Sequence, residues 1–151
     1  MVKVIGAVTV AALALAGWAY GPAQGETYKL SARLTAGSEV PKPTGVPANA
    51  TGLFTGKTVE LANDKAKITW QLTFSYLSGK AGSAHIHVGK PGKAGGVLLA
   101  LCGPCRSGQK GAATITHAQL KKIESGATYV NIHTPKNAAG EIRGQVKVSE
   151  G

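Results

Sequence analysis

Histidine is scarce in this chain, with 4 residues in all, and three of them fall in two short segments that alternate apolar and polar side chains. In Ala84-His85-Ile86-His87-Val88 two histidines stand two positions apart. A strand sends successive side chains to opposite faces, so both imidazoles leave one side and Ala84, Ile86 and Val88 leave the other. Tyr129-Val130-Asn131-Ile132-His133 repeats the pattern, with His133 and Asn131 opposite Val130 and Ile132. If the two strands are neighbours, His85, His87 and His133 converge on one patch. Neutral imidazole suits copper, zinc and nickel, and three imidazoles can hold an ion while leaving a position open. The chemistry expected here is therefore metal binding, with copper, zinc and nickel all open as the ion. Asn131 and Glu141 are candidates to orient a ring, and Arg143 to draw an anion toward the site. His117 is a fourth candidate ligand, although a place in the first turn of a helix also suits a surface residue. The alternative is that the imidazoles hydrogen-bond neighbouring strands and loops and simply fix the fold.

The 2 cysteines form the sequence Cys102-Gly103-Pro104-Cys105. This is the spacing of thioredoxin-type redox sites, but that chemistry needs the first thiol at a helix N-terminus in an α/β fold. A strand pattern precedes the pair and Arg106-Ser107-Gly108 follows it. A local structural disulfide is the leading reading in an exported protein, with a soft metal-ligand pair and redox catalysis as the others. Ser/His/Asp hydrolysis is excluded: no nucleophile elbow is present, and Asp64, the one aspartate, sits in a turn pattern. The Gly-Lys pairs between residues 89 and 96 lack Walker spacing and a following helix, which removes a phosphate loop.

These residues need a scaffold. A chain of 151 residues is enough for one domain with a real core. Few aromatics, 21 glycines and many threonines favour an all-β domain with many turns. The formal charge of +10, from 17 basic and 7 acidic residues, is dispersed. No basic block alternates with aromatics, so nucleic acid is not the expected partner. A solvated basic face, meeting an acidic protein or surface, is the better reading. At the N-terminus, Lys3 precedes an uncharged apolar run over residues 4–19, and small residues follow. That run is shorter than the about 20 residues a membrane span needs. Residues 1–23 read as a signal peptide, with a retained membrane anchor as the alternative. Both place the folded part outside the cytoplasm, in the periplasm or beyond.

Residues 28–34 alternate cleanly and predict a first strand, and the proline- and glycine-bearing stretch 35–49 predicts a loop. Residues 51–61 predict a strand in which Gly52 and Gly56 suggest a bulge or an edge, and Asn63-Asp64 predicts a hairpin turn. Over 67–76, Ile68, Trp70, Leu72, Phe74 and Tyr76 share one face and should lie in the core. Residues 97–101 predict a short buried strand and 112–115 another. Thr116 and Gln119 form a capping-box pattern for a short helix over 117–124, stopped by Gly126. Residues 127–134 form the second histidine strand. The last strand, over 141–148, turns Ile142, Gly144, Val146 and Val148 inward and Arg143, Gln145 and Lys147 outward.

Leu30-Ser31-Ala32 with Glu39-Val40-Pro41, then Ala84-His85-Ile86-His87, then Tyr129-Val130-Asn131-Ile132-His133-Thr134, then Gly140-Glu141-Ile142-Arg143-Gly144-Gln145, together resemble the CHRD (chordin) domain over residues 27–148. The family includes chordin, which binds bone morphogenetic proteins, and many exported bacterial proteins. The resemblance implies an extracellular β-sandwich; the fold expected is a Greek-key-like antiparallel sandwich, and the role expected from the site is binding and not turnover. A His-x-His strand followed by a later strand histidine is also similar, more distantly, to the copper half of copper-zinc superoxide dismutases. The histidine and aspartate cluster of a zinc site has no counterpart here, leaving a lone copper site. Three functions follow as expectations. The first is a copper-binding module, with no catalytic residue assigned. The second is a metal-free interaction or structural subunit of an extracytoplasmic or membrane complex. The third is a copper redox enzyme.

Overall fold

The computed structural model describes residues 25–151, so the expected signal or anchor segment lies outside the described residues. Among the described residues nine strands and one α-helix follow in order: β1 (Thr27–Thr35), β2 (Thr51–Leu61), β3 (Lys65–Ser75), β4 (Ser83–Val88), β5 (Val97–Cys102), β6 (Gln109–Thr116), α1 (His117–Glu124), β7 (Thr128–His133), β8 (Ile142–Gln145) and β9 (Lys147–Glu150). The strand order is β5-β4-β7-β8-β1-β2-β3-β6, with β9 also on β1. Every pairing is antiparallel. The neighbours that are distant in sequence are β4 with β7, β8 and β9 with β1, and β3 with β6, and they give the Greek-key-like connectivity. The strands curl round one core as a nearly closed sandwich, as the alternation predicts.

That core is built by period-two patterning. Leu30, Ala32 and Leu34 from β1, Phe54 from β2, and Ile68, Trp70 and Leu72 from β3 face Ala84, Ile86, Val130, Ile132 and Ile142 from the other flank. The apolar partners of the histidine strands are fully buried, with Ala84, Ile86, Val130 and Ile132 each 0% exposed. Helix α1 closes one end through Leu120 and Ile123. Its first turn carries the predicted capping box: Thr116 Oγ1 accepts from Gln119 N–H at 3.2 Å, and Gln119 Oε1 accepts from Thr116 N–H at 2.9 Å. A two-turn helix has little hydrogen bonding of its own, so the cap matters. Thr116→Ala is expected to destabilise the domain by about 1 kcal/mol, seen as a lower denaturation midpoint with an unchanged slope.

Several expectations are corrected. Strand β2 has no bulge and no free edge: it pairs continuously with β1 and with β3. Its Gly56 lies opposite Trp70, which also faces Gly111 across β6, and a Cβ on Gly111 would stand 2.3 Å from the indole. Gly111 makes room for that ring, whereas a Cβ on Gly56 would crowd Thr69 O at 3.0 Å and the Phe54 ring at 3.2 Å; neither glycine breaks the ladder. Tyr76 leaves the sheet one residue after β3 ends, at φ 58°, and is 63% exposed. Strand β5 is an edge, and Val97 is 58% exposed. The last predicted strand is two: β8 lies between β7 and β1, and β9 pairs with β1 farther along, with Val146 between the two strands. Arg143 does point outward from the sheet, yet it is only 1% exposed, for a reason that belongs to the site.

Candidate metal centre

Strands β4 and β7 are direct neighbours, with Ser83 opposite His133, His85 opposite Asn131 and His87 opposite Tyr129. This register puts all three imidazoles on the outer face of one sheet flank, directly above the buried apolar set. On the other side of β4 the ladder to β5 shifts register between Ala84 and His85 and again between Ile86 and His87. Such irregularities re-aim side chains, and here each precedes a histidine. The result is a cluster in which one ring nitrogen from each of His85, His87 and His133 lies within 4.8 Å of the others. Ring centroids are 5.5 Å apart for His85–His87, 4.9 Å for His85–His133 and 5.9 Å for His87–His133.

Backbone carbonyls select the ring nitrogens that face one another. His87 Nδ1 lies 2.9 Å from Gly95 O, and His133 Nδ1 lies 2.9 Å from Ala138 O. A carbonyl only accepts, so Nδ1 of each ring carries the proton and Nε2 presents its lone pair. His133 Nε2 is met at 3.1 Å by His85 Nδ1, whereas His87 Nε2 is buried with no hydrogen-bond partner among the described residues. Burial, followed by the neighbouring imidazoles of His133 and His87, holds the His85 pKa below the ordinary histidine value. Burial also lowers that of His133; the hydrogen bond to Ala138 opposes this and the charge of His87 adds to it. Both shifts favour the uncharged ring, the form that binds metal.

The strand connections hold this arrangement in place. The 89–96 loop folds back over the sheet. Gly95 N–H donates to Tyr129 Oη at 3.2 Å, and Arg143 Nη2 donates to Lys90 O at 3.0 Å and Lys93 O at 2.9 Å. Gln145 Nε2 donates to Gly89 O at 2.8 Å. Tyr129 is sandwiched: its ring stacks on His87 at 5.0 Å and 5°, and Arg143 Cζ sits 3.4 Å from its centroid. Arg143 is therefore buried by loop and ring, and it supports the site through Tyr129.

The other orienting candidates also act at a distance. No hydrogen bond joins Asn131 to an imidazole; its amide faces the buried Glu39 carboxyl, beside Gly140. Burial raises the Glu39 pKa, against the opposing pull of Val40 N–H, Arg143 and Asn131. Gly140 has φ 133°, and a Cβ there would lie 2.4 Å from Glu39 Oε2, so no other residue fits. Glu141 is fully buried and touches no ring. It accepts from Ser78 N–H at 2.6 Å, from the Ser78 hydroxyl, from Thr134 Oγ1 at 2.5 Å and from Asn137 Nδ2 at 2.9 Å. Asn137 in turn grips Thr44 through both its N–H and C=O, at 2.8 and 3.1 Å. Glu141 thus fixes the 134–140 turn, and with it the Ala138 carbonyl behind His133.

His117 is not in the cluster; its Nδ1 lies 3.6 Å from Glu60 Oε1 at the start of α1. Cys102 and Cys105 lie at disulfide-bonding distance, S–S 2.05 Å. Cys102 is opposite Ala84, and Cys105 N–H donates to Ala81 O at 3.0 Å, so the bridge fastens the chain beside β4. Sequence reasoning missed Gly95, Ala138 and the stacking role of Tyr129. Only the Gly95-Gly96 pair carried a signal: a Cβ on Gly95 would stand 1.8 Å from Val88 O, so a close backbone approach is required there.

No curated protein and no solved structure matches the chain. The sequence model of the CHRD domain matches residues 30–146, which includes most of β1, all of β2 through β8, the three histidines, and the Glu39 and Glu141 networks that brace them. The chain belongs to the CHRD domain family.

Proposed function

We propose that the domain binds one transition-metal ion through His85 Nδ1, His87 Nε2 and His133 Nε2, and that it serves as a metal-binding module. The observation that carries this reading is the buried His87 Nε2, which has no hydrogen-bond partner among the described residues and lies in the cluster with the other two rings. A buried polar atom without a partner costs about 1–3 kcal/mol. The Gly95 carbonyl keeps the lone pair on that atom, so an electrophile would relieve the cost. Among divalent ions an imidazole set favours copper over zinc, and copper is the ion proposed. His85 and His133 are partly exposed, which leaves solvent access to the centre.

The test is titration of the metal-free protein with Cu(II), followed by electron paramagnetic resonance. One equivalent is expected to bind, with nitrogen hyperfine structure and with zinc as the weaker competitor. A spectrum of oxygen ligation at exposed sites, with no saturable equivalent, would overturn the proposal. It would favour the imidazoles as fasteners of the β4–β7 ladder, a role for which the His85–His133 hydrogen bond speaks.

A further inference from the structure

The outward face of the other flank carries the chain's charge excess in an ordered form. Lys29 and Arg33 on β1, Lys57 on β2, Lys67 on β3, Lys110 on β6 and Lys147 on β9 are all exposed and point to the same side. No outward position of these five strands holds Asp or Glu. Glu60 and Glu150, the acids within them, have the opposite parity; Glu60 faces His117 of α1. Asp64 lies in the β2–β3 turn at one end. Lys29 stands directly opposite Lys57 in the ladder. Like charges so placed weaken a sheet, and no acid on this face relieves them.

The shape narrows the partner. Lys29 and Arg33 stand about 13 Å apart along β1, and with neighbouring strands about 5 Å apart the cations form a two-dimensional array. The residues between them are Ser31, Thr55, Thr69, Gln71 and Thr114, and no outward position is aromatic. A stacking platform for single-stranded nucleic acid is therefore missing. A shallow recess of about 450 Å³ lies between Lys57 and Lys110, bounded by Thr55, Gln71 and the edge of Trp70.

We infer that this face docks on an anionic lipid surface, with headgroup phosphates between the lysines. Charge complementarity and flatness favour a planar array of anions over a single acidic chain. Adsorption is electrostatic, because Leu53 and Leu61 are the exposed large hydrophobics on these positions. The histidines lie on the other flank, so the inference is independent of the metal proposal.

The experiment is co-sedimentation of the full chain with phosphatidylcholine vesicles, with or without about one third phosphatidylglycerol, which separates electrostatic binding from apolar N-terminal insertion. A preference for the anionic vesicles is expected in about 0.1 M salt, collapsing near about 1 M. Each cation at the surface contributes about five-fold, so Lys29→Glu, Lys57→Glu and Lys67→Glu combined should reduce that preference by at least about 100-fold. Circular dichroism checks that this variant is folded. Lys42→Glu, Lys80→Glu and Lys122→Glu change net charge equally on exposed positions elsewhere and should retain most of it. Equal losses in the two variants would show a net-charge effect and overturn the inference. So would the absence of any vesicle preference, or binding through this face to a soluble acidic polysaccharide alone.

Discussion

Replacing His87 with alanine is expected to abolish stoichiometric copper uptake and leave the domain folded. The nitrogen removed is the one with no other partner, and it belongs to the ring whose orientation is best fixed. Loss of an outer partner to a ligand costs 10–100-fold in affinity, so loss of the ligand itself should cost more than about 100-fold. The stack on Tyr129 is lost as well, at about 1 kcal/mol of stability, which a thermal melt of the metal-free variant would separate from the binding defect. His85→Ala should behave similarly, whereas His117→Ala should bind as the parent does, because His117 lies beside Glu60. Unchanged affinity in His87→Ala would refute the three-nitrogen centre.

Glu141→Gln is expected to be the most damaging single-atom exchange for stability, at about 3 kcal/mol. The carboxylate accepts hydrogen bonds from Ser78, Thr134 and Asn137 while fully buried. An amide turns one acceptor into a donor that faces other donors. Burial alone would raise the Glu141 pKa, but the hydrogen bonds from Ser78, Thr134 and Asn137 outweigh it and hold the pKa below 4.5. A carboxyl whose folded pKa is depressed contributes stability that is complete above its unfolded value and is lost as pH falls through the folded one. Urea denaturation should therefore show the parent losing stability below pH 4.5, and the Gln variant losing less over the same range. A second consequence tests the positioning role. With the 134–140 turn loosened, the Ala138 carbonyl no longer fixes His133, so copper affinity should fall in the variant even where it remains folded. A variant as stable as the parent at neutral pH would remove Glu141 from this role.

Much of the scaffold was legible because it rests on period-two alternation. His85, Ile86 and His87 announce opposite faces by residue type alone, and so do Val130, Ile132 and His133. The capping box at Thr116 was legible for a similar reason, since its donors and acceptors lie three residues apart. What stayed hidden depends on contacts distant in sequence. Gly56 reads as a disruption until its unbroken pairing with β1 and β3 is known. Arg143 reads as a solvent-facing cation until the 89–96 loop supplies its carbonyls. Glu141 reads as a partner for a ring because it sits near His133 in sequence, but its hydrogen bonds reach back to Ser78. The ladder split between β8 and β9 left no mark in the alternation, because Val146 keeps the same parity on either side.

The carbonyl contacts behind His87 and His133 are short-range: Gly95 belongs to the β4–β5 connection and Ala138 to the β7–β8 connection. Each hairpin thus sets the tautomer of its own histidine before meeting the other. An ion bridging them would act as a rivet between two preassembled halves: His87 and His133 would keep their tautomers, and only His85 would move its proton from Nδ1 to Nε2. Metal loading would then resist separation of β4 from β7 more than fraying within either hairpin.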